Sequence, residues 1–284
     1  MVWVDQLFVL PYEGLAAFGA YNIANRAAVV PGLVSSVLVA ALFPKLSQLY
    51  TKFGENSLED AFTVTTRYVV LVGFPMIILV AVLAYPIIIL FAGAQYAPAA
   101  LPLVLLSVAS LFGALGVAVG PTFFAMERPG IASIIAFSAV MTDAVFSYVF
   151  IALFGMGMIG AALAKIVAAV VGFSLGTAIL RQSIRIKFDT EMLWKVSAAC
   201  AFMVAVILGF DVVRQRLGGP PFDFLVFRLH LLPVYVLIGG VAYFVAVIVL
   251  RAIRKEDIKL FREYLPGKLK WAAALLERFV RGAK

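Results

Sequence analysis

Charge is scarce in this sequence: only 13% of its 284 residues are Asp, Glu, Lys or Arg, against about 25% in a soluble domain. So little polar surface cannot wrap a core of this length, which excludes an ordinary soluble enzyme. One cysteine excludes an internal disulfide, and Cys200 lies in an apolar run where it serves as packing material. One histidine, with no Gly-x-x-x-x-Gly-Lys, no His-Glu-x-x-His and no Cys pair, argues against nucleotide hydrolysis, metal hydrolysis and a His-based nucleophilic triad. No cofactor and no metal is expected. His230 stands beside Arg228 at the outer edge of the last apolar run, where an interfacial side chain near headgroups is the better reading than catalysis.

What is present is apolar: 64% of the residues are hydrophobic. A membrane-spanning helix needs about 20 such residues. Runs of that kind cover 20–43, 68–91, 101–124, 131–154, 159–180, 197–213 and 231–250. The first ten residues are too short to cross and look like the tail of a helix, and no basic region before Pro11 marks a cleavable signal. The expected fold is an all-α polytopic membrane protein with about seven full transmembrane helices plus a partial N-terminal one. No loop is large enough to form a soluble catalytic domain.

A net charge of +8 is compatible with nucleic acid until its distribution is read. Eighteen basic residues fall in the segments 44–67, 125–130, 181–196 and 251–284, all on one side, and three, Arg214, Arg216 and Arg228, fall on the other. The positive-inside rule makes the first side cytoplasmic, so the charge calls for no nucleic acid. Residues 1–250 thus form a transmembrane bundle and 251–284 a basic cytoplasmic tail. In the tail Ile258, Phe261, Leu265, Leu269, Ala272, Leu276 and Phe279 recur at three- and four-residue steps between Lys and Arg, and Pro266-Gly267 divides them. That pattern describes two short amphipathic helices on the anionic leaflet, with docking to a partner as the alternative.

Ionisable residues at membrane depth are costly and so are functional candidates. Three stand out: Arg26, Asp143 and Lys165. At 1.5 Å per residue Asp143 lies roughly 18 Å from the turn at Gly155 and Lys165 about 8 Å past Gly160, which favours a shared watery cavity over a direct bond. The plainer alternatives are snorkelling for Lys165 and Arg26, and a buried Asp143 satisfied by Thr142, Ser138 or Ser147. The acidic pairs Glu59-Asp60 and Glu256-Asp257 read as solvated faces. Pro31-Gly32, Gly73 with Pro75, Pro86, Gly113, Gly116 and Gly120-Pro121 are expected to interrupt the helices.

Phe18-Gly19-Ala20-Tyr21-Asn22-Ile23-Ala24-Asn25-Arg26, followed by Leu42-Phe43-Pro44-Lys45-Leu46-Ser47, resembles the pattern that opens the C-terminal half of the Wzx-like oligosaccharide flippases in the multidrug/oligosaccharidyl-lipid/polysaccharide exporter superfamily. Leu90-Phe91-Ala92-Gly93-Ala94-Gln95-Tyr96-Ala97-Pro98-Ala99, Met126-Glu127-Arg128-Pro129, Gly157-Met158-Ile159-Gly160-Ala161-Ala162 and Arg254-Lys255-Glu256-Asp257-Ile258 resemble later motifs of that family, in order. The resemblance implies a transporter that moves a lipid-linked oligosaccharide precursor across the bilayer by alternating access of two lobes. It implies Arg26 and Lys165 as partners of the anionic headgroup, and Asp143 as an ion-coupling or polar-core residue.

The sequence starts inside what resembles the family's seventh helix, with Asp5 near where the family often has an Asp. The chain is therefore expected to be incomplete, to require a separate N-terminal lobe as partner beside membrane lipids, and not to flip a lipid alone. Two other functions stay open: a multidrug or cation antiporter of the same superfamily, and a sugar polymerase or ligase using Arg214, Arg216, Arg228 and His230. An inert scaffold is the remaining alternative.

Overall fold

The computed structural model describes residues 4–53, 55–186, 189–216 and 225–252. The basic tail expected from residue 251 onward lies outside the described residues apart from its first two positions. The chain order is α1 (Val4–Phe53), α2 (Glu55–Val82), α3 (Ala84–Ala92), a 3-10 segment (Ala94–Ala99), α4 (Ala100–Gly116), α5 (Val119–Ala125), α6 (Pro129–Ser147), a π segment (Tyr148–Leu153), α7 (Gly157–Ser183), α8 (Thr190–Arg216) and α9 (Leu225–Val249). Six helical segments among the described residues are long and apolar enough to cross a membrane: Phe62–Val82, Ala94–Ala125, Pro129–Leu153, Gly157–Ser183, Thr190–Arg214 and Leu231–Val249. They match six of the seven expected runs, and the seventh, 20–43, forms part of α1. The all-helical membrane fold is thus as expected.

The positions of the breaks differ from expectation. Helix continues through Pro31-Gly32 in α1 and through Gly73 and Pro75 in α2. It stops instead at Leu83, three residues before Pro86, and at Val117–Ala118, between Gly116 and Gly120-Pro121. The ring of Pro86 sits in the first turn of α3, where no backbone N–H is needed and proline does least harm. The run 131–154 also changes character: after Ser147 it widens into the π segment, closed by Phe154 N–H to Val149 O at 3.1 Å and Met156 N–H to Phe150 O at 2.9 Å. Gly155 and Gly157, at φ 65° and 52°, then turn the chain into α7.

The chain divides into two compact units, one built from α1 to α7 with the start of α9 as far as Leu232, the other from α8 and the part of α9 beyond Leu232. In the first, one buried cluster packs Tyr21, Ala24 and Ala28 of α1 against Ile88, Leu103, Leu106, Ile151 and Ala161. A second packs Leu58 and Phe62 against Phe123, Met126 and Leu180. Near the second, polar ties join the first half of α2 to the start of α6 and the end of α7 with the residues after it: Glu59 accepts the Arg185 N–H at 2.8 Å, Arg128 donates to Ser183 at 3.4 Å, and Arg67 pairs with Asp189 at 3.8 Å. Large apolar side chains remain outside, among them Leu7 at 70%, Phe137 at 66% and Leu153 at 64% exposure. Such a surface suits hydrocarbon and not water. In the second unit α8 and α9 run antiparallel, tied by Tyr235 to Asp211 near one end and by Lys195 to the Arg251 carbonyl near the other.

The turn between α5 and α6 offers a test of backbone strain. Glu127 has φ 58°, and the N–H groups of Glu127 and Arg128 close on the carbonyls of Phe124 and Phe123, the double bond pattern of a left-handed helix end. A side chain in that conformation costs about 1 kcal/mol that glycine avoids. Glu127→Gly is expected to stabilise the protein by about that amount in a denaturant titration; a loss of stability would show that the Glu127 side chain contributes more than the strain removes.

Candidate functional site

The candidate site starts from a break in α1. Gly14, at φ 82° and ψ 178°, interrupts the helix and separates an arm, residues 4–13, from the long remainder. In an unbroken helix Asp5 and Tyr21, sixteen residues apart, would stand roughly 24 Å from one another. With the arm turned back at Gly14 the Tyr21 hydroxyl donates to Asp5 Oδ2. Both residues are fully buried.

The same Oδ2 receives the Lys165 ammonium from α7 at 2.6 Å. Lys165 keeps 22% of its side chain exposed, whereas Asp5 has none. Asp143 of α6, also buried, lies within Coulombic reach of Asp5 and Lys165. The direct partner of Lys165 is therefore Asp5, and Asp143 forms the second carboxylate of the cluster. Buried oxygens without a hydrogen bond collect on these same elements: Asp5 Oδ1, Gln6 Oε1, Asp143 Oδ1 and Ser147 Oγ.

The expectation that Thr142, Ser138 or Ser147 satisfies Asp143 is corrected. The Thr142 hydroxyl donates to the Ser138 carbonyl at 2.8 Å, and the Ser138 hydroxyl to the Ile135 carbonyl at 2.8 Å. These two hydroxyls turn back onto their own helix, a local bond always within reach in a helical segment. The Ser147 hydroxyl has no hydrogen-bond partner, and Asp143 Oδ1 is likewise left without one.

Arg26 is not part of this cluster. It is exposed, with Nε donating to Asn22 Oδ1 at 3.2 Å one turn earlier. Val29, Val30, Leu33 and Val37, exposed at 51–67%, continue the outer surface of α1 from it. Tyr21 of the same helix faces the core, so α1 carries the buried cluster and the exposed guanidinium on different sides.

A second polar group lies in the unit of α8 and α9. Tyr235 donates to Asp211 Oδ1 at 2.6 Å, and Arg214 Nη2 reaches the same oxygen at 2.9 Å. Arg214, one of the outer basic residues weighed for an enzyme site, is therefore engaged with a carboxylate. Arg216 is exposed, and the side chains of Arg228 and His230 lie outside the described residues. Glu59, read as a solvated face, accepts the Arg185 backbone N–H. Its neighbour Asp60 and the pair Glu256-Asp257 lie outside the described side chains.

Asp5, Tyr21 and Asp211 are members of these polar groups that the sequence does not mark out strongly. Asp5 stands in a run too short to span, so membrane depth could not be assigned to it. Tyr21 did stand in the opening Gly-x-Tyr motif, which was the available signal. Asp211 was legible as an acidic residue two positions before the end of its run.

The family model described as lipid II flippase MurJ matches residues 15–228. A curated relative, the probable low-salt glycan biosynthesis flippase Agl15 of Haloferax volcanii, is 23% identical over 211 residues, covering 74% of this chain and 44% of that protein. Among solved structures, a lipid II flippase MurJ in an inward closed conformation superposes with a TM-score of 0.67 at 19% identity, over 87% of this chain and 51% of the other. The chain thus spans about half the length of the proteins it matches.

Proposed function

The chain belongs to the family of the lipid II flippase MurJ, and from that premise we propose that it takes part in moving a lipid-linked oligosaccharide precursor across the membrane for cell-surface glycan assembly. Membership of a flippase family and the six apolar helices among the described residues make it a multi-pass membrane protein of transport, not an enzyme. The polymerase or ligase alternative gives way on that ground. The finer assignments are proposals: a Wzx-like oligosaccharide as cargo, a second lobe as partner, and a cytoplasmic C-terminus. The gathering of Arg67, Arg128 and Arg185 at one end of the first unit supports the sidedness.

The observation that carries the cargo assignment is Arg26. Its guanidinium is exposed among apolar side chains of a long helix. Hydrocarbon is a costly environment for that charge, whereas a wet cavity receiving a pyrophosphate headgroup is a favourable one. Lys165 is the second cation proposed to face the headgroup, through the exposed fraction of its side chain, and Asp143 is proposed for ion coupling. The unpartnered Oδ1 of Asp143 is also what favours the antiporter reading as second choice.

Arg26→Gln tests this. In cells that depend on the protein, outer-leaflet precursor is expected to fall at least about 10-fold, the loss of one charge-assisted contact, with Arg26→Lys retaining part of the activity. Undiminished precursor in the Gln variant, at equal protein level, would remove Arg26 from the headgroup site.

A further inference from the structure

We propose that Asp5 is a built-in competitor of the anionic cargo at Lys165, one that keeps the headgroup from binding too tightly to be released. The inference rests on the proposed headgroup role of Lys165 and adds the residue that regulates it. A carboxylate and a phosphate are alternative acceptors for the same ammonium, and each is attracted by the same charge. Asp5 Oδ2 already holds Lys165 Nζ at 2.6 Å. The ammonium retains further N–H donors and remains partly exposed, while the carboxylate is wholly enclosed. An incoming anion can therefore reach the lysine but cannot remove its resident counter-ion from the protein. It meets a cation whose field is largely cancelled.

Tyr21 adjusts the strength of that cancellation. Its hydroxyl donates to the same Oδ2 that holds the ammonium, so it draws part of the carboxylate's acceptor capacity away from Lys165. A carrier that loads on one side and unloads on the other needs an affinity sufficient for entry and weak enough for exit, the condition that governs conduction through a pore site. Asp5 shifts the affinity down and Tyr21 shifts it partly back. The two residues touch each other and both are core residues, yet their removal has opposite effects on the ligand.

The test measures binding of farnesyl pyrophosphate to the 284-residue chain in nanodiscs of zwitterionic lipid at low and high salt. Asp5→Asn is expected to tighten binding about 10-fold, or about 1.4 kcal/mol, with a steeper dependence on salt. Tyr21→Phe, which keeps the ring, is expected to weaken it about threefold. General damage to the fold would weaken both, so tightening in one and weakening in the other separates competition from structural loss. Unchanged or weaker binding in Asp5→Asn, or tighter binding in Tyr21→Phe, overturns the proposal.

Arg26→Gln, measured alongside, distinguishes this inference from the reading beneath it. If Arg26→Gln loses the probe and Asp5→Asn leaves it unchanged, the competitor role falls and the headgroup site stands. The reverse pattern removes Arg26 from the site and retains the competition at Lys165. Failure of every form to bind the probe overturns both.

Discussion

Lys165→Met is expected to destabilise the protein by about 3–5 kcal/mol, the cost of leaving a buried charge without its partner. Asp5 has no exposed surface, and its carboxylate would retain only the Tyr21 hydroxyl while facing Asp143 within Coulombic reach. Removing the carboxylate as well relieves the cost, so Asp5→Asn/Lys165→Met is expected to recover most of the loss. Asp5→Asn alone is expected to cost less than Lys165→Met, because the lysine, already 22% exposed, can carry its ammonium outward while an aspartate on a short stem cannot. Equilibrium unfolding of the four forms in mixed detergent gives the coupling energy directly. A coupling near zero, with all variants folded, would show that the pair contributes nothing to holding the arm.

The second large effect concerns the close approach of α7 to the π segment. A Cβ placed on Gly160 would lie 2.9 Å from Phe150 Cβ, 3.0 Å from Met156 Cβ and 3.1 Å from the Phe150 carbonyl carbon. One of those atoms is backbone, and neither Cβ is the far end of a flexible chain, so none can yield without moving an element. Gly160→Ala is expected to cost about 1–3 kcal/mol through overpacking. Gly209, in the middle of α8, meets nothing within 4 Å. Gly209→Ala is expected to gain about 0.5–1 kcal/mol by reducing the freedom of the unfolded chain. Thermal unfolding of the two variants should therefore move in opposite directions; a Gly160→Ala protein as stable as the parent would mean that the two segments can separate freely.

Both cases show why part of the site was legible in the sequence and part was not. Arg26, Asp143 and Lys165 could be singled out because a charge inside an apolar run is a local contrast, visible without coordinates. Their partners could not. Asp5 and Lys165 are 160 positions apart, and Asp5 and Tyr21 stand in one helical element whose break at Gly14 alone brings them together. At 1.5 Å per residue Lys165 and Asp143 differ too much in depth for a direct bond to be favoured. Depth along two helices carries no trace of the third residue, on a folded-back arm, that takes the ammonium. Thr142 and Ser138 stand close to Asp143 in sequence, but their hydroxyls bond to carbonyls of their own helix.

The solvent, and from it the class of fold, follows from the residues read in order. An apolar share of 64% and the spacing of long runs require a bilayer and helices, because hydrocarbon leaves backbone polar groups no other partner. The ordered motifs also pointed to a flippase superfamily, and the match to the MurJ family over residues 15–228 agrees. Which prolines and glycines interrupt a helix, and which charge meets which, depends on the packed helices. Hydrophobicity is a sum over neighbours along the chain, so it survives without coordinates. An ion pair depends on the direction of two side chains across packed helices, and that direction is fixed only when Gly14 turns the arm and α7 comes to lie against it.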